Sequence, residues 1–170
     1  MGNHNTVVGH RSTVRSWQNN TVLSSCSTVS GGRGNTASGE CSVVGGGSNN
    51  AATGGLSTVP GGEGNTASGG FSTVSGGGGN TASGDTSTVS GGSSHTASGI
   101  YSTVGGGENN TAAGSRSTVS GGRGNRATGQ YSTVIGGHDN RVLSLGSMAG
   151  GGFNIQDDED DPSIYSAGFW

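Results

Sequence analysis

Ser57-Thr58-Val59-Pro60-Gly61-Gly62-Glu63-Gly64-Asn65-Thr66-Ala67-Ser68-Gly69-Gly70-Phe71 runs straight into Ser72-Thr73-Val74-Ser75-Gly76-Gly77-Gly78-Gly79-Asn80-Thr81-Ala82-Ser83-Gly84-Asp85-Thr86. The second stretch is the first rewritten 15 residues later. Outward from this pair the unit S-T-V-x-G-G-x-x-N-T-A-S-G-x-x recurs as nine complete copies over residues 12–146, with no insertion or deletion. A stacked array cannot take an extra residue in one rung without a bulge, so this strict period predicts one structural coil per repeat. The chain reads as a solenoid.

Composition alone would suggest a low-complexity segment, with 39 Gly among 170 residues, 26% hydrophobic and 10% charged. The phase excludes it. Val14, Val29, Val44, Val59, Val74, Val89, Val104, Val119 and Val134 hold one column. Ala37, Ala52, Ala67, Ala82, Ala97, Ala112 and Ala127 hold another, which Val22 and Val142 continue at its ends. Glycine does not fall at every third position, so collagen is excluded. No apolar run is long enough for a transmembrane helix, and the first residues carry no basic-then-apolar leader pattern.

Each coil divides into two short strands, Ser-Thr-Val-x and Asn-Thr-Ala-Ser, each followed by glycine where the chain must reverse. Side chains alternate faces along a strand. Val and Ala are the only consistently apolar columns, so they point inward, together with the Ser12-type and Asn20-type positions, and both threonine columns point outward. Stacked asparagines at Asn20, Asn35, Asn50, Asn65, Asn80, Asn110, Asn125 and Asn140 are expected to bond from rung to rung, with His95 replacing Asn once. The expectation is an all-β parallel solenoid over residues 1–150 and an acidic-aromatic tail over 151–170. One Val and one Ala per coil make a thin core, which points to association with further copies.

The alternation of S-T-V-x-G-G with N-T-A-S-G resembles the head repeats of YadA-like trimeric autotransporter adhesins. The resemblance covers residues 1–150. It implies a left-handed β-roll bundled as a homotrimer, an adhesive or fibrous role at a cell or virion surface, and a host surface or matrix glycan or protein as partner. Related repeats also occur in phage and viral fibres.

Both ends of the array are more apolar than its middle: Val7, Val22 and Val142 replace Ala, and Val8, Leu23 and Leu143 replace the neighbouring Ser. Trp17 and Phe153 enter at the two ends as well. Such residues either cap the solenoid or join successive units lengthwise. Asp157, Asp158, Glu159, Asp160 and Asp161 hold five of the ten acids, leaving seven Arg against five acids elsewhere. An acidic run is ordinarily a solvated tail, yet this one leads into Ile164, Tyr165, Phe169 and Trp170. Those residues could dock beside Arg11 and Arg15 of a neighbouring copy or pack on their own assembly.

Cys26 and Cys41 share one column on adjacent rungs. The spacing allows a disulfide within or between chains, or two free thiols. Leu56, Phe71, Tyr101 and Tyr131 follow in that column as an aromatic seam, read first as subunit packing and second as a glycan contact. Turn positions such as Arg33, Glu63, Glu108, Arg123 and His138 supply the surface variation.

Gly-Gly-Arg-Gly-Asn-Thr-Ala-Ser-Gly lacks the Asp that a calcium-binding nonapeptide needs, so no metal or cofactor is expected. The sequons at Asn19 and Asn109 and the myristoylation-like Gly2 start both follow from the repeat. The four histidines share no spacing, there is no lysine, and no catalytic constellation converges. The expectation is a non-enzymatic structural fibre or adhesive module whose partner is itself, with no nucleic acid and no membrane insertion. Ice binding through the outward threonine columns is the alternative.

Overall fold

The computed structural model describes residues 4–15 and 18–157, together with the backbone of the strand Tyr165–Ser166. It is an all-β parallel solenoid with two two-residue strands in each coil and no helix among the described residues. The Asn-Thr-Ala strands, from Thr6–Val7 to Arg141–Val142, form a ten-stranded sheet. The Ser-Thr-Val strands, from Thr13–Val14 to Met148–Ala149, form the second sheet, and Tyr165–Ser166 completes its eleven strands. Every strand pairs parallel with its equivalent in the next coil, as Thr73 with Thr88 and Thr81 with Thr96.

The inward columns lie where the alternation places them. Val29, Ala37, Val44, Ala52 and their successors through Val134 are fully buried, as are the serines and asparagines beside them, such as Ser57 and Asn65. At the N-terminal end Val14 is only partly buried, because a coil covers it on one side alone. Val7 is 49% exposed for the same reason.

A buried amide is tolerated because all of its polar atoms are used. In the coil of Asn65, Oδ1 accepts from the backbone N–H of Asn80 at 3.0 Å, and Nδ2 donates to the Gly61 and Gly77 carbonyls at 3.1 and 2.9 Å. The rung-to-rung bond therefore runs from backbone to side chain. It stitches the turn glycines of one coil to those of the next.

Those bonds explain why one turn position is glycine in every coil from Gly32 to Gly152. Gly77 has φ +86, and a Cβ there would stand 2.1 Å from the carbonyl oxygen of Gly92. Every equivalent from Gly32 to Gly152 also has a positive φ.

Next to it runs a third ladder, which the sequence pattern had not predicted: parallel bridges link Arg33, Ser48, Glu63, Gly78, Ser93, Glu108, Arg123, His138 and Phe153 in turn. Its side chains share no chemistry; the backbone alone aligns them.

The ladder also passes the boundary expected at residue 150. Phe153 bridges His138, Gln156 bridges Arg141, and Ile155 packs on the core. Phe153 thus keeps the phase of its column, and coil geometry continues to Asp157.

Candidate interaction surfaces

The turn after each Asn-Thr-Ala strand builds the most unusual surface. In the coil of Cys41, Ser42 N–H donates to the Gly39 carbonyl at 3.2 Å and closes a tight turn. Its third residue is left-handed, with φ +52 at Cys41. Glycine is the usual choice there, yet this slot holds Arg11, Cys26, Cys41, Leu56, Phe71, Thr86, Tyr101, Arg116 and Tyr131, all between φ 52 and 60. A left-handed residue with a Cβ costs roughly 1–2 kcal/mol. Backbone bonds hold it in place: Phe71 N–H donates to the Gly55 carbonyl of the preceding coil at 2.8 Å, and Tyr101 N–H to Asp85 at 2.9 Å.

From Leu56 onward most of these residues are large and outward-facing, whereas the left-handed positions of the other turn, such as Asn49, Ser94, Asn109 and Asp139, carry small polar side chains. Leu56, Phe71, Tyr101 and Tyr131 are 52%, 63%, 54% and 49% exposed, with Ile100 and Leu145 beside them at 51% and 63%. Arg116 lies between two rings, its guanidinium carbon 5.4 Å from the Tyr101 and Tyr131 centroids, and donates from Nη1 to Tyr131 Oη at 3.1 Å. That stacking fixes the side chains in a row before any partner arrives. The seam of the sequence reading is therefore a continuous exposed edge, and its left-handed backbone carried no signal in residue type.

The third ladder is polar by contrast. Glu108 and Arg123 approach to 3.8 Å while both stay largely exposed, and His138 stacks on Phe153 at 5.3 Å. The threonines form single-file columns, half-buried at positions such as Thr73 and Thr81. Val43 and Met148 interrupt one column, and Ala51, Arg126 and Arg141 the other.

Of the residues expected to join units, Arg11 and Arg15 are exposed in the first coil. Asp157 is not free to meet a neighbour. It is 4% exposed, and its carboxylate accepts the backbone N–H groups of Leu143 and Ser144, the latter at 3.0 Å, so it caps its own chain. In the preceding coil the equivalent N–H groups, of Thr128 and Gly129, both go to the Val142 carbonyl, and the Asp157 carboxylate takes that place here. Tyr165 pairs through its backbone with Met148 and so also closes the chain's own sheet edge. Trp17, Asp158, Glu159, Asp160, Asp161, Phe169 and Trp170 lie outside the described residues.

Cys26 and Cys41 are both free thiols. No group of three or more His, Cys, Asp or Glu able to hold a metal occurs among the described residues, nor any helix long and apolar enough to cross a membrane.

His95 is a site the sequence marked without explaining. Fully buried in the asparagine column, it accepts the Asn110 N–H on Nδ1 at 3.0 Å, where other coils use an amide oxygen. Burial pushes its pKa below the ordinary histidine value.

No model of a known protein family matches the chain, and no curated protein matches it either.

Proposed function

We propose that this chain is a structural module that acts by self-association: solenoids bundle side by side as a homotrimer through the seam, and the bundle serves as a fibre segment or adhesive head at a cell or virion surface. The observation that carries the reading is the seam itself. Strained left-handed backbone at exposed, large and mostly apolar side chains is a cost without a return in an isolated chain, and such outliers concentrate where a contact is made. Two further points support it. The core is one Val and one Ala thick. A partner that meets a side chain on every rung must also repeat at the strand spacing of about 4.8 Å, and a second copy of this chain does so by construction. The resemblance to trimeric adhesin heads points the same way. Shape and surface, with no reaction, are then what the molecule contributes.

The test is the solution mass of the wild-type chain beside a Leu56→Ser, Phe71→Ser double variant. The reading expects three chains for the wild type and dissociation of the variant, with both retaining the same far-ultraviolet circular dichroism. A wild-type chain that stays single at micromolar concentration overturns it.

A further inference from the structure

Cys26 and Cys41 occupy the same slot of successive coils, held there by equivalent bonds: Cys26 N–H donates to the His10 carbonyl and Cys41 N–H to the Ser25 carbonyl, each at 2.9 Å. Their backbones match, with φ 60 and 52, so both side chains leave the turn in the same direction, about one strand spacing or 4.8 Å apart. That separation lies inside the Cα range of a disulfide. Cys26 is exposed and Cys41 half-buried. Interaction with the Cys26 thiol, followed by burial and the nearby Glu40 carboxylate, pushes the Cys41 thiol up from its ordinary pKa.

We propose that Cys26 and Cys41 are a dithiol–disulfide couple, oxidised within one chain by exchange with a small disulfide such as oxidised glutathione, which closes a full coil on itself. Cys26, the more exposed sulfur, loses its proton and attacks the small disulfide, forming a mixed disulfide and releasing one small thiol. Cys41 then loses its proton and attacks the Cys26 sulfur, releasing the second small thiol. Two protein thiols give up two electrons and two protons, and the small disulfide gains both. One rung of separation makes the second step intramolecular, so the mixed disulfide is short-lived.

The position gives the bond a purpose. It joins coils beside the end where Val7 is exposed and Val14 only partly buried, and so fastens the least packed part of the array. The pair also precedes Leu56, the first large seam residue, and its closure does not depend on the lateral contacts proposed above.

The experiment incubates the full chain with excess oxidised glutathione, alkylates what remains and measures intact mass and linked peptides. The expected product is a single chain two hydrogen atoms lighter, without a glutathione adduct, with Cys26 and Cys41 peptides linked. Cys41→Ser is expected to accumulate a stable glutathione adduct on Cys26. Hydrogen exchange should slow around residues 21–44 on oxidation and stay unchanged around 103–134. Two alkylated thiols, adducts persisting on the wild type, or chains cross-linked to one another would each overturn the proposal.

Discussion

His95 stands where nine other coils place an asparagine, at Asn5, Asn20, Asn35, Asn50, Asn65, Asn80, Asn110, Asn125 and Asn140. Its neutral form suits the slot because Nδ1 keeps the lone pair that receives the Asn110 N–H. Protonation would set one N–H against another in a fully buried site. Asp157 is the only other ionisable side chain among the buried described residues, and it lies at the far end of the array. The His95 pKa is lowered in the fold, so the unfolded chain takes up its proton first. Stability is therefore complete above the unfolded value, near 6.5, and is lost as pH falls from there towards the lower folded value. His95→Asn should abolish that part of the acid sensitivity. Urea midpoints of the two proteins at about pH 7.5 and pH 5 check this; an equal loss in both would show that the site does not titrate as described. The turn glycines offer a sharper contrast between neighbours. Gly77→Ala meets a positive φ and the Gly92 carbonyl at 2.1 Å, whereas a Cβ on Gly78 finds only the Glu63 carbonyl, 4.0 Å away. The first change should cost at least about 2 kcal/mol. Gly78→Ala should be neutral or stabilising by roughly 0.4–1 kcal/mol, as thermal melting of the pair would show.

A coil is the smallest element with meaning here, and each touches only the coils above and below it. Stability in such an array is a sum of local terms, which makes its ends the places where single residues count most. At the C-terminal end the Asp157 carboxylate accepts two N–H groups whose equivalents in the preceding coil, on Thr128 and Gly129, go to a backbone carbonyl. Asp157→Ala removes this charged acceptor from two backbone donors, at a cost of about 1–3 kcal/mol. The loss should stay local: hydrogen exchange ought to quicken around residues 142–149 and remain unchanged around Val89. Exchange that quickens evenly along the array would mean the coils are coupled more tightly than nearest-neighbour contact allows. The Asp157 role was hidden in the sequence because this residue opens an acidic run, and a run reads as solvated charge rather than as one carboxylate with a fixed task.

At the scale of the whole molecule, the interior was legible because its columns repeat in residue type: Val89 and Ala97 are the apolar members of their strands in every coil, and strand alternation then placed Ser87 and His95 beside them. What escaped notice was held by backbone alone. The ladder through Arg33, Ser48, Glu63 and Gly78 has no common chemistry to detect. The left-handed turns at Leu56, Phe71 and Tyr101 use residues that carry no such signal. The seam was visible as a column and invisible as a left-handed one. The other turn is left-handed too, at Asn49, Ser94, Asn109 and Asp139, but with small polar side chains, so it is large apolar residues held in that conformation that separate the seam from the rest of the surface. Lateral association through that edge is the central claim, and a spin label tests it most directly. With Cys26→Ser and Cys41→Ser as background, a label at Tyr101→Cys on the seam is compared with one at Ser93→Cys on the polar ladder. Association through the seam predicts an immobilised Tyr101 label with short dipolar distances between chains, and a mobile Ser93 label with longer ones. A seam label that moves freely and shows no coupling to another chain would contradict the claim.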